Sequence, residues 1–298
     1  MFEKNNINKI VSELEQGVKM IALVAPSFVA EFEYPSIIFR LRALGFDKAI
    51  ELTFGAKMIN RDYHKKLKNS KELVIASPCP GIVETICNKY PQYKKNLIKV
   101  DSPMIATAKI SKKQYPQHKT VFISPCDFKK IESENSEYID YVIDYEQLRE
   151  IFKKKKIKKI KGDVLFNKFY NDYTKIFPLS GGLAKTAHLK GVIKKEEVLI
   201  IDGIKKIMKF LDNPNPKIKF LDVLFCVGGC IGGPHTSKIP ISVKKKKVLD
   251  YLEKSKDEDI PEERKGLIEK AGELKFGGKR SVEIVGSCEK KNKEIGRV

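Results

Sequence analysis

Tryptophan is absent from the 298-residue chain, histidine occurs four times and cysteine six times. So few cysteines over this length exclude a disulfide scaffold, which is a device of small secreted domains. There is no Cys-x2-Cys-x2-Cys run, which excludes a built-in cluster of the bacterial ferredoxin kind. No apolar run approaches the ~18–20 residues of a membrane span. The best early stretch, residues 20–25, stops at Pro26 and follows Glu13 and Glu15, the wrong flank for a secretory signal. The expected location is the cytoplasm, with no membrane contact. There thiols stay reduced, and clustered cysteines serve as metal ligands or catalysts. Acidic residues are also scarce: 38 Asp+Glu face 58 Lys+Arg, a formal charge of +20.

What is present suffices for a sizeable core, at 42% hydrophobic and 9% aromatic residues. At ~150 residues per domain the chain is one large domain or two ordinary ones. Lysine gathers at positions 153–156, 158, 159, 161 and 244–247. The bland reading is a solvated surface. Nucleic-acid binding would bring a helix-turn-helix, a zinc finger or an aromatic strand platform; none is found, so no nucleic acid is expected as a partner. Steering of an acidic protein partner needs no motif and fits the charge.

Apolar spacing at Ile7, Ile10, Val11 and Leu14 predicts a helix stopped near Gly17, followed by a buried strand over 18–25. A second helix runs from Pro35 to Gly45, then a strand over 47–52 and a helix over 57–67. Strand 73–76 runs straight into Ser77, Pro78 and Cys79, ahead of a helix over 81–90. The rhythm repeats: strand 120–123 runs into Ser124, Pro125 and Cys126, and strand 138–143 precedes a helix over 145–152. Strand 198–201 precedes a helix over 204–211, and strand 218–224 ends at Phe225 and Cys226. Strands alternating with helices imply an α/β fold of mainly parallel sheet flanked by helices. The basic stretch 153–161 reads as a loop or insertion, and Asn213-Pro214-Asn215-Pro216 as a turn. Beyond 244 the chain is charged and helical, with a helix start at Pro261, Glu262 and Glu263. The final ~15 residues are expected to be mobile, as termini often are.

Cys79, Cys126 and Cys226 each lie just past the carboxyl end of an expected strand, and Cys230 follows in the same loop as Cys226. Ligands of open α/β sheets gather at those strand ends. Four converging thiolates make a metal site, either Zn(Cys)4 or an iron–sulfur cluster. The loop Cys226-Val227-Gly228-Gly229-Cys230-Ile231-Gly232-Gly233 favours a cluster, because glycine lets backbone N–H groups approach a bulky sulfide core. Zinc, or four buried thiols without a metal, are the alternatives. Cys87 reads as a core thiol beside Val83 and Ile86, and Cys288 as an exposed one. His235 follows the glycine loop, while His64, His118 and His188 lack metal-ligand spacing. The segment Gly181 to Thr186 lacks the glycine before lysine that a phosphate loop requires.

Three segments carry a family resemblance. Ala76-Ser77-Pro78-Cys79-Pro80-Gly81-Ile82-Val83 resembles the Thr-Ser-Cys-Cys-Pro-Gly-Trp-Val signature of the iron-only ([FeFe]) hydrogenase catalytic domain. Ser124-Pro125-Cys126-Asp127-Phe128-Lys129-Lys130-Ile131-Glu132 resembles its Met-Pro-Cys-x-x-Lys-Lys-x-Glu, and residues 226–234 its Cys-Pro-Gly-Gly-Cys-Ile-Asn-Gly-Gly. Supporting matches include Phe54-Gly55-Ala56, Tyr90-Pro91, Ser102-Pro103 and Ser180-Gly181-Gly182, in order over about residues 15–240. The resemblance implies one domain over 1–243, with lobes at about 1–112 and 113–243 and a metal cluster in the cleft between them. A charged extension over 244–298 follows. It implies an H-cluster: a [4Fe–4S] cubane on Cys79, Cys126, Cys226 and Cys230, with Cys230 bridging to a diiron subcluster that maturation proteins supply. Lys129 matches the lysine that hydrogen-bonds a cyanide ligand; Glu132, Ser102 and Pro103 complete the surroundings. The implied reaction is H2 ⇌ 2H+ + 2e−, with electrons drawn from a separate acidic carrier such as ferredoxin.

The departures from the pattern are specific. The family's proton-donating cysteine is Pro78, which has no acid to give. The two glutamates of the helix before the first motif fall near Tyr63 and Lys66, and the relay serine at Ile98, leaving only Glu132 of that route. The methionines of the second and third motifs are Ser124 and Leu224. A general acid contributes ~10²–10⁴-fold, so slow turnover is expected. Together with the ending Gly232-Gly233-Pro234, this resembles the divergent sensory branch more than the fast hydrogen producers. Cytosolic iron–sulfur assembly factors, which keep a cubane in this fold without the diiron unit, are the other relatives of this pattern.

Overall fold

The computed structural model describes residues 7–159, 164–167, 173–258, 271 and 274–277. Its strands are β1 (Met20–Val24), β2 (Lys48–Glu51), β3 (Val74–Ile75), β4 (Lys119–Ser124), β5 (Tyr141–Asp144), β6 (Val198–Asp202) and β7 (Phe220–Leu224). Two sheets form, in the orders β2-β1-β4-β5 and β3-β7-β6, and every pairing is parallel. The run Met-Ile-Ala-Leu-Val of β1 is buried at every position, as a central parallel strand covered on both faces must be. Leu23 pairs with Ile50 on one side and Phe122 on the other, so β1, β2 and β4 end at one level.

The sheets do not divide the chain at residue 112. The first takes β1 and β2 from before that point and β4 and β5 from after it; the second takes β3 from before and β6 and β7 from after. Composition along the chain shows where a strand lies but not which partner it finds. A parallel partner is reached through a crossover that can lead to either sheet.

The helices are α1 (Ile7–Glu15), α2 (Ser36–Ala43), α3 (Thr53–Asn69), α4 (Pro80–Lys89), α5 (Pro103–Gln114), α6 (Asp127–Glu134), α7 (Tyr145–Lys154), α8 (Gly182–Thr186), α9 (Ile204–Asp212) and α10 (Ile241–Lys256). Helix α3 lies directly against α5: a Cβ on Gly55 would come within 2.1 Å of Thr107 Oγ1, so only glycine permits this approach. Helix α10 starts before residue 244 and buries Val248 and Tyr251 in the first core. The basic start of the expected extension therefore packs against the first core. The Pro261 helix start, Cys288 and the last ~15 residues lie outside the described residues.

Two buried ionisable groups give the fold measurable signatures. Lys175 is fully buried, with Nζ 3.0 Å from Glu51 Oε2 and 2.7 Å from the Tyr251 hydroxyl, which ties α10 to β2. Lys175→Met removes the buried cation 3.0 Å from the Glu51 carboxylate, and is expected to destabilise the protein by ~3–5 kcal/mol in urea unfolding. An unchanged midpoint contradicts this. Asp222, in the middle of β7, is raised by burial to about 6, partly opposed by the hydrogen bond from the Ala184 amide. The native state then holds more protons than the unfolded chain between the ordinary 3.8 and about 6. Stability attributable to Asp222 therefore falls as pH rises through that window. Asp222→Asn is expected to remove this fall and to be more stable than the parent above pH ~7; an identical stability–pH curve for the two proteins contradicts it.

Candidate metal centre

The second sheet delivers two of the cysteine-bearing segments and the first sheet one. Beyond β3, Ser77 and Pro78 lead to Cys79, the N-cap of α4. Beyond β4, Pro125 leads to Cys126, the N-cap of α6. Helix N-termini present unpaired N–H groups and a positive dipole end, which favour thiolates and anionic clusters; the Lys129 amide donates to the Cys126 sulfur. Beyond β7 the chain turns through Gly228 and Gly229, at φ +82° and +77°. A Cβ on Gly229 would lie 2.5 Å from the Pro178 carbonyl oxygen. This tight passage lets the Cys230 amide donate to that same carbonyl at 2.8 Å and aims Cys226 and Cys230 inward.

The thiols feel one another. Burial, then the charge of Cys79, pushes Cys126 up to about 12, against the pull of Lys129. Burial and Cys79 likewise push Cys226 up to about 11. Cys230 is raised far above its ordinary value by burial and then by Cys79, Cys126 and Cys226. Four thiolates so placed are unfavourable without a cationic core to neutralise them, which is what iron supplies.

Their spacing can be compared with that of a single-ion site. Tetrahedral zinc, with Zn–S ~2.3 Å, would draw its sulfurs to ~3.8 Å from one another. Among the described residues, the set of three or more potential ligands within 4.8 Å of one another is Asp144, Glu146 and His235, not the cysteines. The four thiols are therefore near enough to raise one another's pKa without forming such a compact set. The Asp144 set is already occupied by a cation of the chain, since Lys130 Nζ lies 2.7 Å from Asp144 Oδ2.

Beside the thiols is a cavity of about 90 Å³, walled by Cys79, Cys126 and Cys230 and by apolar groups that include Pro78, Met104, Phe122 and Phe177. Among the described residues, the one ionic side chain in its wall is Lys129.

Residues 18–234 match the family model described as iron only hydrogenase large subunit, C-terminal domain. The chain belongs to this family. Iron hydrogenase 1 of Clostridium pasteurianum is 26% identical over 308 residues, a match covering 79% of this chain and 54% of that protein. The chain therefore spans about half the length of this curated relative. An [FeFe]-hydrogenase solved for stepwise H-cluster assembly superposes with TM-score 0.63 at 16% identity, over 98% of this chain and 95% of the other. An [FeFe]-hydrogenase variant from Chlamydomonas reinhardtii gives TM-score 0.61 at 16% identity, over 98% and 95%. At such identities these structures bear on the fold, which they share with this chain.

Within this iron-only hydrogenase domain, Lys129 Nζ donates to the Pro78 carbonyl at 3.2 Å and pairs with Glu132 Oε2 at 2.6 Å, both side chains being largely buried. Glu132 orients Lys129 and does not itself line the cavity. Pro103 and Met104 line it, whereas Ser102 is the N-cap of α5, where its hydroxyl accepts from the Ile105 amide at 3.4 Å. Ser124 lines the cavity and accepts from the Cys126 amide at 3.1 Å. His235 turns its ring to Asp127 and Glu146, while its amide donates to the Pro125 carbonyl at 3.3 Å. Cys87 is a core thiol.

Tyr63, Ser77 and the Ile98 carbonyl form a closed network. The Ser77 amide donates to the Tyr63 hydroxyl at 2.8 Å, and Ser77 Oγ donates to the Ile98 carbonyl at 2.6 Å. The Tyr63 hydroxyl is then left to donate to Ser77 Oγ at 3.2 Å. Tyr63→Phe leaves the buried Ser77 amide without its acceptor and is expected to cost ~1–3 kcal/mol, read by chemical unfolding of the apoprotein. A cost near zero would mean that the network does not hold the loop.

Sequence reasoning missed Ala25, Pro26 and Ser27, which enter the cavity wall from the end of β1, and Pro178, which anchors Cys230. Ala25-Pro26-Ser27 carried a legible signal, a buried strand ending on a proline as at the other motifs.

Proposed function

We propose that Cys79, Cys126, Cys226 and Cys230 hold a [4Fe–4S] cluster and that the adjoining cavity takes a diiron unit joined through Cys230. The observation that carries the reading is the convergence of four thiols beside an apolar cavity whose one ionic wall residue is Lys129. When bound, such a centre supplies the hydrogen chemistry, H2 ⇌ 2H+ + 2e−. Lys129, held by Glu132 and the Pro78 carbonyl, offers its remaining N–H to an anionic ligand in a water-poor site, where a charge-assisted hydrogen bond is strong. Apolar walls keep bulk water out. Pro78 offers no proton at the position matching the family's donor, and Tyr63, Lys66 and Ile98 do not restore a carboxylate relay. Turnover is therefore slow and suits hydrogen sensing. Electrons pass to and from a separate acidic carrier of the ferredoxin class, drawn by the +20 charge, in an anaerobic cytoplasm where maturation proteins supply the diiron unit.

Infrared spectroscopy after supply of a diiron precursor tests this reading. Carbonyl and cyanide bands are expected, and their absence removes the catalytic claim. Pro78 also favours a second reading, a non-catalytic [4Fe–4S] scaffold acting as a sensor or assembly factor. That reading predicts about four irons per chain, the content of one cubane, with no diiron bands and no hydrogen uptake.

A further inference from the structure

A cleft of about 610 Å³ runs along α3 and is closed on its other sides by the segments 95–100 and 274–277. Among the described residues, six cations line it, Arg61, Lys65, Lys66, Lys95, Lys99 and Lys275, and the single carboxylate in its wall is Asp62. Over the whole chain the ratio of basic to acidic residues is 58 to 38. Six to one is therefore a local concentration and not the background of a lysine-rich surface.

The positive charge is poorly neutralised from within. Lys95 has only a loose contact with Glu72, at 3.8 Å between two well-exposed side chains. None of the other five has a carboxylate within 4.0 Å among the described residues. Asp62 is itself pushed up by burial, against the pull of Lys65 and Arg61. Like charges gathered around a concave, low-dielectric surface focus their field outward and concentrate anions.

The cleft is also built. Its floor is apolar, from Met58, Ile98, Val100 and Phe276. The wall at 274–277 is held to the body by a hydrogen bond from the Asp101 amide to the Phe276 carbonyl at 2.7 Å. A bridge between Val100 and Gly277 and Lys109 Nζ, which reaches the Lys275 carbonyl at 3.2 Å, complete the attachment. The volume falls in the ~300–1,000 Å³ range of small-molecule sites. A flat, acidic protein surface would meet the rim but leave the floor unfilled. A cationic rim over an apolar floor suits a small ligand with several phosphates and a flat apolar body.

We propose that this cleft binds a nucleoside polyphosphate. The test is calorimetry on the iron-loaded full chain with ATP, inorganic triphosphate and adenosine as probes, and it does not depend on which cluster the cysteines hold. ATP is expected to bind saturably and more tightly than triphosphate, with adenosine undetectable. The double variant Lys66→Glu/Lys99→Glu, both exposed positions, is expected to weaken ATP binding by about tenfold or more. Hydrogen exchange on the parent protein is expected to slow in 58–66 and 95–100 when ATP is present. Absent binding, ATP binding no tighter than triphosphate, undiminished binding in the double variant, or protection confined to other segments would overturn the proposal.

Discussion

Pro78→Cys is expected to raise hydrogen turnover of the diiron-loaded protein by ~10²-fold, the lower end of what a positioned general acid contributes. Position 78 lines the cavity beside Cys79, Lys129 and Cys230, so a thiol there faces the cavity proposed to take the diiron unit. The substitution is structurally mild. Pro78 lies outside α4, which begins at Pro80, and its one described polar contact is through the carbonyl that Lys129 contacts, which cysteine retains. The gain is held to the lower end because Tyr63, Ile98 and Lys66 offer no carboxylate to continue a relay outward on the proposed reading. Hydrogen evolution from a reduced dye, normalised to the infrared bands, is the measurement. Unchanged turnover with intact bands would show that proton delivery at this position does not limit the rate.

The second large effect concerns the metal itself. Cys126→Ala is expected to drop iron from about four per chain to near zero. It should also destabilise the protein as purified, because metal-binding energy that exists only in the native state is folding energy. Cys126 is the right probe, since it caps α6 and is raised by burial and by the charge of Cys79, so it belongs to both the fold and the centre. Cys87→Ala is the control. Cys87 lies in the core cluster that includes Ile82, Ile86 and Leu221 and does not line the cavity, so its loss should leave the iron content unchanged. Equal iron loss in the two variants would mean that iron retention reports general stability and not ligation.

Much of this was readable from residue order, and the rest failed for identifiable reasons. The apolar runs of β3, β4 and β7, each leading within a few residues to a cysteine, placed the four thiols at strand ends, because a buried parallel strand needs an apolar run and a loop at its carboxyl end. Helix α5 escaped because it buries Met104, Ile105, Ala106, Ala108 and Ile110. A helix covered on several sides shows no single apolar stripe, although Ser102-Pro103 is a good N-terminal signal. Helix α6 is short and mostly polar, and its start was read as part of the cysteine motif. The sheet membership of β3 was invisible, since Val74 and Ile75 would serve either sheet. Ser102 matched by motif yet serves as a helix cap. The 274–277 wall of the basic cleft is a long-range contact that no local pattern announces.

The most direct test of the account is the iron and acid-labile sulfide content of the anaerobically reconstituted full chain. The arrangement of Cys79, Cys126, Cys226 and Cys230 predicts about four of each per chain before any diiron unit is supplied. One tightly held zinc per chain, or iron that neither reaches this value nor depends on these four cysteines, would contradict it.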